Sequence, residues 1–185
     1  PAKLVDTTPT LEGYVFKGWA TSKDGPVAYQ PGGQYLNDAD LTLWAVWAKK
    51  TFTVTVSSGA GYSTVPAGVN TVAHGDTFKL KIRVERQYAA TRPTVTVTQK
   101  TANGTWVDNA GALSNEPTSN FHAVTYTYTV SNIHADQRIE ISVTQNKVRQ
   151  VSYFVALGDA DGANAARETT AFMIQSVEHG YYASM

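Results

Sequence analysis

The sequence holds no cysteine and only two methionines among its 185 residues. Disulfides, thiolate nucleophiles and zinc sites built on cysteine are therefore excluded. Charge is scarce as well. Charged residues make up 16%, and 15 basic residues balance 15 acidic ones. A nucleic-acid or anionic-membrane surface needs clustered positive charge, which this balance does not supply. No apolar run reaches the ~18 residues of a membrane-spanning helix, so membrane insertion is not expected. Signatures of catalysis are missing too: there is no G-x-S-x-G elbow, no phosphate-cradling glycine loop and no dinucleotide fingerprint. His74, His122, His134 and His179 are scattered, with no i, i+4 pair of the metalloprotease kind. They read as solvated residues at turns and strand ends. Neither an enzyme, a cofactor nor a metal site is expected. No signal peptide opens the chain and Pro1 is not an initiator, so a fragment of a longer protein is expected.

What the sequence does have is alternation. In residues 13–50 two aromatic segments, 14–19 and 41–47, flank a loop rich in Gly, Pro and Asp. Both read as strands. Strict alternation puts Tyr14, Phe16 and Gly18 on one face of the first and Val15, Lys17 and Trp19 on the other. On the second, Leu41, Leu43, Ala45 and Trp47 share a face. Trp44 and Val46 occupy the opposite one, which predicts a strand covered on both sides. Trp19 and Trp47 are expected to pack in one small core beside Phe16 or Tyr14. Residues 1–12, with Pro1 and Pro9, suit an irregular or short helical lead-in.

This stretch resembles the Listeria–Bacteroides repeat, the B repeat of internalin-type surface proteins. The family pattern of a GY-x-F-x-GW strand, a D-G turn, a Y-x-P-G loop and a closing L-T-L-x-A-x-W strand falls on Gly13-Tyr14, Phe16, Gly18-Trp19, Asp24-Gly25, Tyr29, Pro31-Gly32, Leu41-Thr42-Leu43, Ala45 and Trp47. The resemblance implies a bacterial, extracellular protein associated with the cell wall or cell surface. It marks Tyr14, Phe16, Gly18, Trp19, Leu43, Ala45 and Trp47 as the core and motif of a small β-grasp-like repeat.

Lys49-Lys50 marks a junction, after which Thr/Val alternation takes over. Phe52, Val54 and Val56 predict one strand. Phe78, Leu80, Ile82 and Val84, alternating with Lys79, Lys81, Arg83 and Glu85, predict the cleanest half-buried strand of the chain. Val95 and Val97 mark another, and Asn103-Gly104 signals a hairpin into Trp106. Residues 109–120 read as a polar loop. Val124, Tyr126, Tyr128 and Val130, then Ile139, Ile141 and Val143, predict the last two strands. Roughly six or seven short strands separated by turns suggest an immunoglobulin-like β-sandwich over residues 50–147. The cysteine pair and intervening tryptophan of antibody domains are missing, which leaves another antiparallel sandwich open.

After Asn146 the texture changes again. Residues 151–157 and 171–177 predict strands around a small polar loop. Asp159, Asp161, Gly162, Val177 and Gly180 fill places typical of the opening half of a B repeat. The Asp159–Asp161 pair breaks the calcium-loop pattern, since Ala163 and Asn164 stand where a ligand and a glycine belong. Residues 1–49 thus resemble the second half of such a repeat and residues 148–185 the first half, flanking the sandwich. An isolated two-stranded hairpin is marginal in water, so each half is expected to have a partner. Head-to-tail completion by another copy of the protein is the expected arrangement. The whole is expected to be a non-enzymatic structural or adhesive module, a stalk or spacer unit. The alternative is a binding module for a host protein or glycan, with Trp44, Tyr181 and Tyr182 as the ligand platform.

Overall fold

The computed structural model describes residues 2–37, 39–147, 149–155 and 170–177. The protein is mainly β. A single 3₁₀ turn, Arg86–Tyr88, is the only helical element among the described residues.

The N-terminal unit contains β1 (Ala2–Lys3), β2 (Tyr14–Ala20), β3 (Gln34–Tyr35) and β4 (Trp44–Lys49). β1 pairs with β3 and β2 with β4, both antiparallel, as two separate two-stranded sheets. The lead-in is thus partly strand, not helix. Strict alternation fails in β2. The register with β4 shifts between Phe16 and Gly18, which leaves Lys17 as the extra residue of a bulge. The bulge turns Trp19 onto the face of Phe16, and their rings meet edge to face at 5.0 Å. Expecting Phe16 and Trp19 on opposite faces was therefore wrong by the one inserted residue. β4 is not covered on both sides either. None of its residues is fully buried and Trp44 remains 38% exposed, because β2 is its only sheet neighbour.

The central unit is built from ten strands: β5 (Thr51–Val56), β6 (Tyr62–Val65), β7 (Gly68–Ala73), β8 (Phe78–Glu85), β9 (Thr94–Lys100), β10 (Trp106–Asn109), β11 (Ala112–Leu113), β12 (Thr118–Ser119), β13 (Ala123–Val130) and β14 (Gln137–Ser142). One sheet has the order β10-β9-β14-β5-β7. The other runs β11-β13-β8-β6, with β12 also on β13. Alternation places Phe78, Leu80, Ile82 and Val84 inward on β8 and leaves Lys79, Lys81, Arg83 and Glu85 outside. These join Val54 and Val56 of β5, Val97 of β9, Tyr126, Tyr128 and Val130 of β13, and Ile139 of β14 in one core cluster between the two sheets. Burial pushes the Tyr128 phenol above its ordinary range. Gln137, the one buried polar side chain among the described residues, is satisfied on both ends: it accepts from Asn109 at 2.9 Å and donates to the Ala135 carbonyl at 3.3 Å.

All pairs in these sheets are antiparallel except one. The first strand, β5, runs parallel to the last, β14, with Val54 opposite Gln137 and Val56 opposite Ile139. Chain entry at Thr51 and chain exit after Ser142 therefore lie at opposite ends of the unit. Beyond Asn146, β15 (Arg149–Val155) and β16 (Thr170–Val177) form a separate two-stranded antiparallel sheet. Among the described residues, no strand of this hairpin pairs with the N-terminal unit.

Candidate functional site

Specific polar contacts fasten the central unit at both of its ends, where the flanking pieces attach. At the entry end β4 passes into β5 through Lys50 alone. The Lys50 N–H donates to the Gly13 carbonyl at 2.8 Å, and the Lys50 carbonyl accepts from the His74 N–H at 2.8 Å. This one residue thereby ties the start of β2, the β4–β5 passage and the β7–β8 turn together. Gly13 has φ +76°, and the His74 ring lies directly against it: a Cβ built there would stand 2.5 Å from Nδ1. Only glycine meets both demands. Lys49 donates to Asp76 at 2.8 Å across the same seam. The hydrogen bond to Asp76 holds the Lys49 ammonium above the ordinary lysine range. Its stabilising effect is complete below the unfolded lysine pKa and is lost as pH rises through the raised one. The pair is solvent-exposed and serves geometry more than stability.

At the exit end one asparagine does the fastening. The Asn146 N–H donates to the Gln87 carbonyl at 2.7 Å, its Nδ2 donates to the Arg86 carbonyl at 2.9 Å, and its Oδ1 accepts from the Ala90 N–H at 2.9 Å. The 3₁₀ turn that follows β8 is thus gripped by the residue at which the chain leaves. The Asp76 turn precedes β8 and the Asn146 clamp follows it. Eight residues at ~3.3 Å each separate the two fastenings by about 25 Å.

Three of the motif residues, Phe16, Trp19 and Trp47, come together. Phe16 meets Trp19 and Trp47 edge to face, at 5.0 and 5.4 Å. All three are half-buried, while Gly18 and Ala20 are fully buried. Leu43 and Ala45 are half-buried and Tyr14 is exposed. The Lys17 carbonyl freed by the bulge accepts from Gln30 Nε2 at 3.1 Å. The Trp19 N–H donates to the Tyr29 carbonyl at 2.8 Å, yet the Trp19 indole N–H is buried with no acceptor. Trp44, read as a ligand-platform residue, lines a cleft of about 380 Å³ with Trp47, Asp24 and Gly25. Tyr181 and Tyr182, with His179, Asp159 and Asp161, lie outside the described residues.

A model of the Listeria-Bacteroides repeat domain matches residues 2–46. That family occurs in bacterial surface proteins. The match ends within β4, so Lys49, Lys50 and the whole central unit lie beyond it. No solved structure matches the chain. No helix among the described residues is long and apolar enough to cross a membrane. The described residues hold no group of three or more His, Cys, Asp or Glu placed to share a metal ion.

The sequence places the two junctions at Lys49-Lys50 and after Asn146, but not the contacts that fasten them. Asn146 and Gly13 find their partners only in three dimensions, and His74 and His134, 60 residues apart, were read as separate solvated residues. The structure brings those two rings together.

Proposed function

We propose that the chain is a non-enzymatic structural unit of an extracellular bacterial repeat protein, a spacer or stalk segment of the cell surface. In this reading residues 50–147 form an immunoglobulin-like sandwich, and residues 1–49 and 148–185 are two halves of a β-grasp-like repeat. The observation that carries the proposal is the parallel β5–β14 pair. It sends the chain in at one end of the central unit and out at the other, and both passages are fastened by short hydrogen bonds. A unit entered and left at opposite ends, with stiff joints, transmits length.

The same geometry supports completion of the repeat between copies. The β2–β4 and β15–β16 sheets each have two strands and do not pair with one another within the chain. Two-stranded sheets are marginal alone. Reaching back across about 25 Å would be needed to close the repeat inside one molecule, whereas a second copy presents its tail to the head directly. Such a head-to-tail contact is heterologous and builds an open chain.

Sedimentation equilibrium of the full chain tests this. The average mass should climb with concentration in the unmodified protein. It should stay at one chain in Ile174→Pro, which removes a ladder donor from β16. A single-chain mass at every concentration would overturn the assembly. The alternative, a binding module for a host protein or glycan, draws on the Trp44–Trp47 cleft. Its mark would be a glycan or host protein whose binding is lost in Trp44→Ala.

A further inference from the structure

Two histidines, His74 and His134, meet beside the entry joint. His74 ends the β7–β8 turn's first limb and is half-buried; His134 sits on the exposed loop before β14. Nδ1 of His74 faces Gly13. Its Nε2 faces His134 Nδ1 at 3.2 Å, with the ring centroids 4.8 Å apart and the planes at 61°.

We propose that His74 and His134 form a two-histidine site for a borderline divalent transition metal ion of the zinc, copper or nickel type. Imidazole nitrogens suit these ions. Two nitrogens held at about 2.0–2.1 Å from a tetrahedral zinc are themselves about 3.3–3.4 Å apart. The observed 3.2 Å approximates that bite, so an ion needs little change in the distance between the nitrogens and a turn of each ring that swings its lone pair off the N···N line. Without metal, one ring donates its N–H to the other. On binding, that proton moves to the far nitrogen of its own ring, so both facing nitrogens offer lone pairs and no net charge is lost.

The carboxylates closest in sequence are committed elsewhere. Asp76 holds Lys49, and Asp136 accepts from the Thr53 N–H at 2.9 Å. Among the described residues no third His, Asp or Glu is placed to share the ion, so the site has two protein ligands, with water completing the shell. Its two ligands come from segments far apart in sequence, the β7–β8 turn and the loop after β13. A bound ion would staple them together next to the Gly13 contact.

The test is thermal unfolding of the full chain with zinc chloride and with copper chloride, each with and without EDTA. Metal binding only to the folded state raises the melting temperature. A rise of several degrees is expected in the unmodified protein and in His122→Ala, reversed by EDTA and lost in His134→Ala. His134 is exposed, so that variant keeps its fold. Copper bound to the unmodified chain should show two coordinated imidazole nitrogens by electron paramagnetic resonance. No metal-dependent shift, or an equal shift in His134→Ala, would overturn the site. The outcome is independent of the spacer reading, which rests on chain direction and assembly.

Discussion

Ile82→Ala is expected to lower the unfolding free energy of the central unit by about 2–5 kcal/mol, the range for deleting a large buried aliphatic side chain. Ile82 is fully buried at the middle of β8. Its strand lies between β13 and β6, and Ile82 pairs with Tyr126 on one side and Thr64 on the other. Leu80 and Val84 bracket it on the same face, both fully buried. A strand held on both edges cannot shift to fill the space, so the cavity term is retained along with the lost transfer energy. Lys81→Ala is the control. Lys81 faces solvent on the opposite parity, and its replacement should change stability by no more than about 0.5 kcal/mol. Urea titrations measure both. The midpoint should fall in Ile82→Ala with the slope unchanged.

The second large effect is expected at Gly18. This residue closes the bulge in β2 with φ +140°, a conformation side chains rarely adopt, and it is fully buried. A Cβ there would lie 2.5 Å from Val27 Cγ1 and 2.8 Å from the Tyr29 carbonyl oxygen. The second neighbour is backbone and is held by the Trp19 N–H. It cannot yield without breaking the bridge that folds the 21–35 loop onto β2. Gly18→Ala should therefore cost about 1–3 kcal/mol from backbone strain alone, with the clash adding to it. The loss falls on the N-terminal unit. Three of the four tryptophans, Trp19, Trp44 and Trp47, lie in that unit and Trp106 lies in β10, so in a Trp106→Phe background tryptophan fluorescence should show that unit unfolding early, while circular dichroism shows the central unit keeping its own transition. A fluorescence transition unchanged from the parent would mean that the bulge is not required.

The alternation of β8 and β13 was fully legible because each strand has one dry and one wet face. The Asn103-Gly104 signal likewise announced the β9–β10 hairpin, whose Trp106 stacks under Arg138 at 3.9 Å. Three features were not legible, each for a physical reason. The Lys17 bulge inserts one residue without any change in composition, so alternation counted through it assigns the wrong face. The β6–β7 hairpin is hidden because its strands carry exposed Val65 and Val69 at a turn containing Pro66, a pattern that reads as loop. The polar stretch 109–120 still supplies β11 and β12, short edge strands whose partner β13 provides the apolar side. At the site, the aromatic motif could be read from spacing. The positions of the joints could be read as well, but not their fastenings, since Gly13, His74, Lys49, Asp76 and Asn146 meet partners far away in the chain or through backbone atoms.

The stalk reading depends on entry and exit lying at opposite ends of a unit with stiff joints. Because the chain has no cysteine, two can be introduced cleanly for spin labels. Lys23→Cys reports the N-terminal unit and Lys147→Cys the exit, and both positions are exposed. Pulsed dipolar measurement on the doubly labelled full chain, diluted with unlabelled protein, should give one narrow distance longer than the ~25 Å spanned by β8. A broad distribution, or a distance shorter than that span, would contradict it.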